Sequence, residues 1–329
     1  MSYRAFVVDR SGDSLNTRVT ELDEFALPPG DVTIRVEWSS VNFKDGLAVQ
    51  PGSRVVRSFP MTPGVDLAGT VLNSENNRFS PGDGVIVHGY DLGTAHPGGF
   101  AELARVPAAW VVPLPTGLTT QEAMALGTAG FTAAQSIQAL ERFGLVPGNG
   151  PVIVTGATGG VGSTAVSMLA GRGYEVAGST GKADEHDYLR ELGATLVLGR
   201  EEVSSASDRP LESERWAGAV DPVGGSTTAY LARTMRYGAS IALSGLTGGR
   251  ELHTTVLPFI LRGVNLLGID SVNLAIEERT AIWRRLGADL KPRGLLDSIA
   301  VETDLDGVAG ALATIVKGGV RGRVLVRLA

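Results

Sequence analysis

Hydrophobic and polar positions alternate in the first third of the chain in the manner of short β-strands. Between Val32 and Trp38 every second residue is apolar, which is the period of a strand with one buried face. Short apolar runs follow at 69–72, 85–87 and 110–112, and turns rich in Pro and Gly separate them. This pattern predicts a barrel-like or sandwich-like β domain at the start of the chain.

From Pro151 onward, apolar runs of strand length alternate with segments of helical length. The predicted strands lie at 152–154, 175–177, 219–221, 240–243, 265–269 and 323–327. The predicted helices lie at 123–137, 161–170, 184–192 and 274–290. Repeated β-α units of this kind predict an α/β fold with a parallel, doubly wound sheet.

The segment between Val152 and Gly162 has the pattern of a dinucleotide-binding loop. It passes from an apolar strand through a glycine turn into a helix, and Ala157, Gly159 and Gly162 have the fingerprint spacing. Gly159 allows the backbone to approach a pyrophosphate, and Gly162 allows the helix to pack closely on the strand. Amide groups at the start of the helix would hold the anion. A tight β-α turn without a ligand is the alternative.

The residues that follow the second predicted strand of this region favour NADPH over NADH. NAD-dependent enzymes place an acidic residue there to bind the ribose hydroxyls, whereas this chain has Ser179-Thr180-Gly181-Lys182. Hydroxyl groups and an ammonium attract a 2′-phosphate, which a carboxylate would repel. In the alternative interpretation the hydroxyls cap the next helix and Lys182 is only solvated.

Charge and composition exclude several other classes of protein. The net charge of −6 argues against non-specific nucleic-acid binding, which needs basic groups opposite the phosphates. The chain has no cysteine, so disulfides and thiolate-bound zinc or iron–sulfur sites are impossible. The first residues carry charges too early for a signal peptide, and the apolar stretch 255–269 is interrupted and too short for a membrane span. We expect a cytoplasmic protein without membrane or nucleic-acid partners.

Four local sequences resemble segments of the medium-chain dehydrogenase/reductase superfamily. Residues 38–45 are similar to the segment that contains the family's Asn-Tyr-Lys-Asp sequence. Residues 59–71 are similar to the segment that carries Gly-His-Glu in zinc alcohol dehydrogenases, and 127–133 and 257–263 also match family segments. Together they resemble the zinc-free branch of acrylyl-CoA reductases and quinone oxidoreductases, over nearly the whole chain.

The resemblance implies a GroES-like β-barrel catalytic domain at 1–123 and 271–329, and an NADPH-binding Rossmann domain at 124–270. It also implies a homodimer. The apolar strand at 265–269 is a candidate for the dimer interface, because an exposed apolar sheet edge tends to be covered by another chain. With Gly162 of the fingerprint, the cofactor contacts would be Phe43, Thr158, Gly159, Gly160, Val161, Thr180, Gly181, Lys182, Arg200, Leu246, Ile260 and Ser271.

Two departures from the family bear on the chemistry. Val65 and Asp66 stand where the zinc enzymes have His and Glu, so we expect no catalytic metal. Phe43 stands where the branch has Tyr, and a benzyl side chain cannot donate a proton. The proton must then come from water or from a neighbouring group such as Tyr90.

The candidates for substrate chemistry lie in the segment that resembles the family's active-site segment. Asn42 is the first candidate to stabilise charge on a carbonyl oxygen, because an amide donates a hydrogen bond without titrating. A buried Asn that bonds the backbone is the alternative. Lys44 and Asp45 are further candidates, with an ordinary ion pair between them as the alternative.

Basic residues and histidines outside this segment also have two interpretations each. Arg54, Arg57 and Arg323 could bond the phosphates of a CoA substrate, or they could be solvated arginines. His88 and His96 flank a glycine-rich loop, and without a third ligand we expect them to be ordinary surface or loop histidines.

The sequence therefore favours an NADPH-dependent reductase of the activated C=C bond of a short enoyl thioester, similar to acrylyl-CoA, or of an enone. The bound cofactor supplies the difficult chemistry, while the protein positions the small-molecule acceptor. An NADPH:quinone oxidoreductase is one alternative. A non-catalytic NADPH-binding redox sensor is another, because no residue is an unmistakable catalyst.

Overall fold

The computed structural model describes residues 2–12 and 14–329, and these contain fifteen β-strands and eight α-helices. The strands are β1 (Ser2–Ser11), β2 (Ser14–Asp23), β3 (Val32–Val41), β4 (Asp66–Ser74), β5 (Gly84–His88), β6 (Leu103–Val106), β7 (Val111–Pro113), β8 (Val152–Val154), β9 (Val176–Thr180), β10 (Leu196–Gly199), β11 (Trp216–Asp221), β12 (Met235–Leu243), β13 (Asn265–Gly268), β14 (Ala300–Asp304) and β15 (Arg323–Arg327). The helices are α1 (Phe43–Ala48), α2 (Thr120–Arg142), α3 (Gly160–Gly171), α4 (His186–Glu191), α5 (Gly225–Thr234), α6 (Leu257–Arg262), α7 (Ile276–Leu286) and α8 (Val308–Val316).

The chain divides into two compact units. The first unit comprises Met1–Thr128, Val272–Gly287 and Leu295–Ala329, and the second comprises Ala129–Ser271 and Ala288–Gly294. The domain boundaries expected from the sequence, at 123/124 and 270/271, stay a prediction. None of the helices within the described ranges is both long and apolar enough to cross a membrane.

The first unit is built on a seven-stranded sheet around β3. The order is β14-β15-β3-β4-β5-β7, with β6 also paired to β3, and every pair except β14–β15 is antiparallel. Val32, Ile34 and Val36 of β3 are fully buried, as the alternation predicts. Two irregularities in the β3–β4 register interrupt the strict alternation between Thr33 and Trp38. Such irregularities bend a strand. Polar Thr33 is also buried, and its hydroxyl accepts from Arg105 Nε at 3.1 Å.

The second unit is a six-stranded parallel sheet with the order β10-β9-β8-β11-β12-β13. The chain runs outward from β8 through β9 to β10, then returns to the other side of β8 at β11. The direction of winding therefore reverses between β8 and β11. In doubly wound sheets, ligands bind outside the carboxyl ends of the strands at this switch point.

Short helices connect the parallel strands of the second unit. Residues 163–169 of α3 are buried, in keeping with a helix that packs on the sheet. The helix predicted at 184–192 is observed as a 3-10 turn followed by α4, and the chain leaves it through Gly193 with φ 105°. A residue without Cβ is favoured there, because a positive φ strains other side chains.

The helix predicted at 123–137 is longer than expected and interrupted. It is observed as α2 with a break at Gly127, where φ is 52° and ψ is −156°. This backbone conformation is nearly exclusive to glycine. The break sets the position of the Thr128 amide, which belongs to the polar cluster described below.

Candidate functional site

The glycine loop of the second unit connects β8 to α3 at the carboxyl edge of the sheet. Gly159 is the N-cap of α3, and no side chain caps this end of the helix. Gly159, Gly160 and Val161 are partly exposed, so the first helical turn is accessible. An added Cβ at Gly162 would overlap the carbonyl oxygen of Gly156, so this helix packs closely on the loop. An uncapped, accessible helix start fits the pyrophosphate of a dinucleotide.

Threonine hydroxyls link the glycine loop to the end of β9. The Oγ1 atoms of Thr158 and Thr180 are 3.1 Å apart, and the Lys182 backbone N–H donates to Thr180 Oγ1 at 3.1 Å. Thr158, Ser179 and Thr180 are all more than nine-tenths buried, whereas Gly181 is exposed and Lys182 half-buried. The structure thus brings together the loop and the segment expected to select the cofactor.

Arg200 completes this group from the neighbouring strand. Gly199 pairs with Thr180 in the β10–β9 ladder, which places Arg200 next to Gly181. An added Cβ at Gly181 would lie 2.6–2.8 Å from the guanidinium atoms of Arg200, so this arginine occupies the space that a side chain would take. Arginine bonds phosphate through a planar fork of donors. Gly181, Lys182 and Arg200 are the residues that could hold a 2′-phosphate.

The remaining expected cofactor residues are more dispersed. Leu246 lies in the loop after β12 and is 62% exposed, and Ile260 on α6 is 68% exposed. Ser271 follows β13 in the second unit and is half-buried. Phe43 is the first residue of α1 in the first unit, with 39% of its surface exposed. Leu246 and Ile260 are accessible to a ligand, but this alone assigns them no contact.

A buried polar cluster in the first unit is centred on Asp66. Its Oδ1 accepts hydrogen bonds from the Ser40 backbone N–H at 3.0 Å and the Ser40 hydroxyl at 2.7 Å. Its Oδ2 accepts from the Asn42 side-chain amide and the Thr128 backbone N–H, both at 2.8 Å. Arg323 Nη2 lies 4.0 Å from the same oxygen. We call these five residues the Asp66 cluster.

Asn42 lies in this cluster with its amide fully engaged. Its Nδ2 donates to Asp66 Oδ2 and to the Ser40 carbonyl oxygen at 3.1 Å, and its Oδ1 accepts from Arg323 at 3.3 Å. Both amide hydrogens therefore have acceptors. A bond from Asn42 to a substrate oxygen would require one of these bonds to break.

Arg323 is not a solvated arginine, so the sequence interpretation is wrong at this position. Its side chain is 2% exposed, and it donates to the Ser40 hydroxyl at 2.6 Å and to the Val41 carbonyl oxygen at 3.2 Å. Burial lowers the pKa of this guanidinium, and the carboxylates of Asp66 and Asp45 oppose that shift. Arg323 is therefore not available to bond a CoA phosphate. Arg54 and Arg57 are exposed, and Arg57 pairs with Asp91 at 3.0 Å.

Asp45 is a second fully buried carboxylate, next to the Asp66 cluster. Its Oδ1 accepts the backbone N–H groups of Gly64 at 3.2 Å and Val65 at 3.0 Å, and its Oδ2 accepts that of Asn42 at 2.9 Å. Burial, followed by the charge of Asp66, raises the pKa of Asp45 to about 7, against the effect of these backbone donors. Lys44 is exposed on α1. The alternative of an ordinary Lys44–Asp45 ion pair is therefore wrong, because Asp45 is fully buried and accepts backbone N–H groups while Lys44 is exposed.

These contacts leave no place for zinc in the manner of the zinc dehydrogenases. The chain has no cysteine, Val65 cannot bind a metal, and both oxygens of Asp66 already accept hydrogen bonds. Within residues 2–12 and 14–329, no three His, Asp or Glu side chains are grouped to hold an ion. The absence of a catalytic metal stays a prediction from these residues.

Tyr90 is held between an aromatic ring and a guanidinium group in the first unit. Its ring stacks on Trp110 with centroids 5.5 Å apart and 11° between the planes, and Arg279 lies 4.5 Å from the ring centroid. Its φ is 51°, a left-handed conformation that costs free energy in a residue other than glycine. The phenol donates to the Leu274 carbonyl oxygen at 3.2 Å. Transfer of its proton to a substrate would require that bond to open.

His88 is not a surface or loop histidine, which corrects the expectation from the sequence. It ends β5 and is fully buried, and the Trp283 indole N–H donates to its Nε2 at 2.9 Å. Burial, and then the charge of Arg279, holds the pKa of His88 well below its usual value, so the ring is neutral. His96 is partly buried, and its ring packs edge-on against Trp110 with the ring centroids 5.2 Å apart. Both histidines contribute to packing, and no pattern in the sequence indicates that Arg279 and Trp283 of α7 contact His88.

Sequence reasoning also assigned no role to Asp221. This carboxylate is fully buried at the end of β11, and the Thr155 hydroxyl after β8 donates to it at 2.6 Å. It therefore lies at the switch point of the parallel sheet. The available signal was an acidic residue at the end of an apolar strand, directly before the Pro222-Val223-Gly224-Gly225 turn.

Comparisons with known proteins agree with this architecture. The family model of the alcohol dehydrogenase GroES-like domain matches residues 28–116, and that of zinc-binding dehydrogenases matches residues 160–288. Acrylyl-CoA reductase AcuI of Ruegeria pomeroyi is 51% identical over 326 residues, which are 98% of each chain. The yhdH oxidoreductase of Salmonella enterica, whose crystal structure is a complex with NADP, is 45% identical, with a TM-score of 0.96 over 100% of both chains.

YhfP of Bacillus subtilis, which is named as a quinone oxidoreductase, is 48% identical over 326 residues and 99% of each chain. Its crystal structure with NAD bound matches with a TM-score of 0.98 over 100% of both chains. The predicted combination of a Rossmann domain and a GroES-like domain is confirmed by these matches. The chain belongs to the medium-chain dehydrogenase/reductase superfamily of oxidoreductases.

Proposed function

We propose that this protein is an NADPH-dependent reductase of the activated C=C bond of a short enoyl thioester, with acrylyl-CoA as the model substrate. The observation that carries the proposal is the full-length similarity to an acrylyl-CoA reductase. The site residues support it, because the second unit has a dinucleotide loop and the first has a buried polar cluster next to the exposed Phe43.

The second unit supplies the residues for the cofactor. NADPH, when bound, supplies the hydride for the reduction. The amide groups at the start of α3 hold the pyrophosphate, and Gly159 leaves room for its close approach. Lys182 and Arg200 bind the 2′-phosphate beside Gly181, because β9 is followed by Gly181-Lys182 and not by the acidic residue of NAD-dependent enzymes. Leu246, Ile260 and Ser271 contact the cofactor in the manner that the family resemblance implies.

The first unit supplies the residues for the acceptor. Negative charge develops on the carbonyl oxygen of the thioester during reduction, so a fixed donor near that oxygen lowers the barrier. Asn42 is the proposed donor, and it exchanges its bond to the Ser40 carbonyl oxygen for one to the substrate. The bond to Asp66 Oδ2 keeps the amide oriented during this exchange. Lys44 is exposed beside it and attracts the negative charge of a CoA substrate.

Protonation of the α-carbon completes the reaction. Phe43 stands at the start of α1 and packs against ligands without providing a proton. Tyr90 is the proposed side-chain donor, because its phenol already points its hydrogen at a carbonyl oxygen and the stack with Trp110 and Arg279 fixes its ring. Water is the other source. Asp45 cannot serve directly, since it is fully buried.

The proposal is tested by NADPH oxidation with purified protein over acrylyl-CoA, crotonyl-CoA, simple enones and ortho-quinones. The expected result is the highest kcat/KM with a short enoyl-CoA. Turnover of ortho-quinones alone would identify a quinone reductase, the activity for which the similarity to YhfP is the specific support. NADPH binding without turnover of any acceptor would favour a redox sensor.

We also propose that the protein is a homodimer and lies in the cytoplasm. The support for the dimer is the free edge of β13, which pairs only with β12 within the described sheet. Exposed apolar side chains lie on this strand and in the segment that precedes it, among them Val256, Leu261 and Leu266. A second copy of the chain would cover them. The cytoplasmic location rests on the sequence alone.

A further inference from the structure

Asp221 is a buried carboxylate that joins three elements of the second unit. Oδ1 accepts the Thr155 hydroxyl at 2.6 Å and the backbone N–H groups of Val223 at 3.0 Å and Gly224 at 3.2 Å. Oδ2 accepts the hydroxyl of Thr228 on α5. Oδ1 thus carries three of the four bonds. One of them reaches the strand that leads into the glycine loop, and two fix the turn after β11.

The turn after β11 is in backbone contact with the loop after β12. The Gly248 N–H donates to the Val223 carbonyl oxygen at 2.7 Å, and Gly224 forms a β-bridge with Gly249. An added Cβ at Gly245 would overlap the carbonyl oxygen of Pro222, so the two loops are in backbone contact. The loop at 244–249 contains Leu246. Its position therefore depends on the turn that Asp221 holds.

We propose that Asp221 is a positioning residue, which holds the loops after β11 and β12 in the geometry that binds the cofactor. Asp221 is fully buried and does not contact a ligand itself. It acts from the switch point of the sheet, where doubly wound folds bind dinucleotides. The inference rests on the proposed cofactor site but not on the identity of the acceptor.

The three bonds at Oδ1 predict how substitutions at this position will differ. Asp221→Asn can keep its oxygen in the place of Oδ1 and turn its NH2 group to the Thr228 hydroxyl, which can then accept. Asp221→Ala leaves the buried Gly224 N–H and the partly buried Val223 N–H without this acceptor, which is costly. The alanine variant should therefore release the turn, and the asparagine variant should retain it.

The test measures dissociation constants of NADPH and NADH by nucleotide fluorescence, without acceptor and well below the unfolding temperature of each variant. We expect Asp221→Ala to raise both constants at least tenfold and by equal factors, because these loops lie apart from the Gly181–Arg200 pair. Asp221→Asn should stay within threefold of the parent protein. Thr228→Val, which affects only Oδ2, is the matched control and should also stay within threefold.

A second variant keeps the test decisive if Asp221→Ala does not fold. Gly245→Ala leaves Asp221 intact but displaces the loop from Pro222. It should raise the dissociation constants of NADPH and NADH by equal factors. Unchanged dissociation constants in Asp221→Ala or Gly245→Ala would overturn the proposal. It would also be overturned if Asp221→Asn bound the nucleotides as weakly as Asp221→Ala does. A parent protein that binds neither nucleotide would overturn the cofactor assignment and this inference with it. Failure to reduce acrylyl-CoA would overturn only the proposed function.

Discussion

Asp45 and Asp66, two fully buried carboxylates, are joined through one residue, Asn42. The Asn42 backbone N–H donates to Asp45 Oδ2 at 2.9 Å, while its side-chain amide donates to Asp66 Oδ2 at 2.8 Å. Arg323 is the buried cation beside them. One guanidinium can balance only one of two ionised carboxylates, so the electrostatics favour a proton on the pair near neutral pH. The raised pKa of Asp45, about 7, assigns that proton to Asp45.

The stability of the folded protein should decrease as the pH rises from about 3.8 to about 7. In this range the unfolded chain has lost the Asp45 proton, whereas the folded protein still holds it. The unfolded carboxyl releases it near pH 3.8, whereas the folded protein keeps it to about pH 7. Below pH 3.8 both states are protonated, and above pH 7 neither is. Between these values the folded state binds more protons, so stability decreases, by about 4 kcal/mol in total.

Urea unfolding of the Asp45→Asn variant between pH 4.5 and 7.5 measures this contribution. The variant should be less stable at low pH, since it loses an acceptor for the Asn42 N–H, but its stability should change less with pH. Asp297→Asn, at an exposed position, is the control and should retain the pH profile of the parent protein. If the stability of Asp45→Asn changed with pH as much as that of the parent protein, the Asp45 carboxyl would not titrate between pH 4.5 and 7.5.

Asn42→Ala should reduce kcat/KM for the best acceptor by about a hundredfold, the typical cost of losing one oxyanion donor. Ser40→Ala is the matched variant, because it removes a hydroxyl donor from Asp66 but leaves the Asn42 amide in place. We expect a smaller loss than in Asn42→Ala, because Arg323 loses its Ser40 acceptor while Asn42 keeps its bond to Asp66 Oδ2. Equal losses in the two variants would mean that Asn42 acts only by supporting the Asp66 cluster.

The sequence predicts five of the six strands of the parallel sheet, because buried strands form short apolar runs. It does not predict β10, in which Leu196 is exposed and only Leu198 is buried. The predicted strand at 265–269 is one residue longer than β13. The predicted strand at 323–327 coincides with β15, which belongs to the sheet of the first unit. Strand β2 had no such signal, because it has no buried residue among those described. A strand of this kind is held by its ladder to β1, which runs from Ser2 to Ser11.

The candidate site was only partly readable from the sequence, for a similar reason. The glycine loop directly follows one strand, so the fingerprint spacing predicts Gly159 and Gly162 as cofactor residues. The dispersed residues, such as Phe43 and Leu246, are predicted only by the family resemblance. The Asp66 cluster combines Ser40, Asp66, Thr128 and Arg323, which are far apart in the sequence and have no common pattern. Only the tertiary fold brings them together. Arg323 illustrates the point, since no local feature of β15 indicates a buried guanidinium.

Lys182→Ala should raise KM for NADPH roughly 10- to 100-fold, because a hydrogen bond to a charged group contributes about 1.5–3 kcal/mol. KM for NADH should change little, since NADH has no 2′-phosphate. Arg200→Ala should behave in the same way, as its guanidinium lies beside Gly181. Arg209→Ala, at another exposed arginine of the second unit, is the control. Equal changes in KM for both nucleotides would remove the phosphate role.

Leu266→Arg and Leu261→Arg should convert the proposed dimer to a monomer. The two leucines are 37% and 57% exposed on and beside the edge strand β13, and a charged residue in an apolar interface is costly. Phe25→Arg, at a residue 96% exposed in the first unit, should leave the dimer unchanged. Light scattering at micromolar concentration gives the mass. A monomeric parent protein, or dimeric variants of both leucines, would contradict this interface.

Gly127→Ala should destabilise the protein much more than Gly144→Ala, although both glycines have a positive φ. Gly144 has φ 92° and open space around it, so alanine there adds only backbone strain, about 1–2 kcal/mol. An added Cβ at Gly127 would lie 2.5 Å from both Arg323 Nη2 and Ser40 Oγ. Its backbone strain and the overlap together should cost about 3 kcal/mol or more.

The two alanine variants also distinguish local backbone strain from a disturbance of the Asp66 cluster that reduces activity. Displacement of Arg323 and Ser40 disturbs the hydrogen bonds that orient Asn42, so Gly127→Ala should lose activity at temperatures where it remains folded. Gly144→Ala should retain the kcat/KM of the parent protein. Urea unfolding gives the free-energy difference, and steady-state kinetics give the second comparison. Equal stability losses in the two variants would show that the cluster tolerates a methyl group at the break in α2.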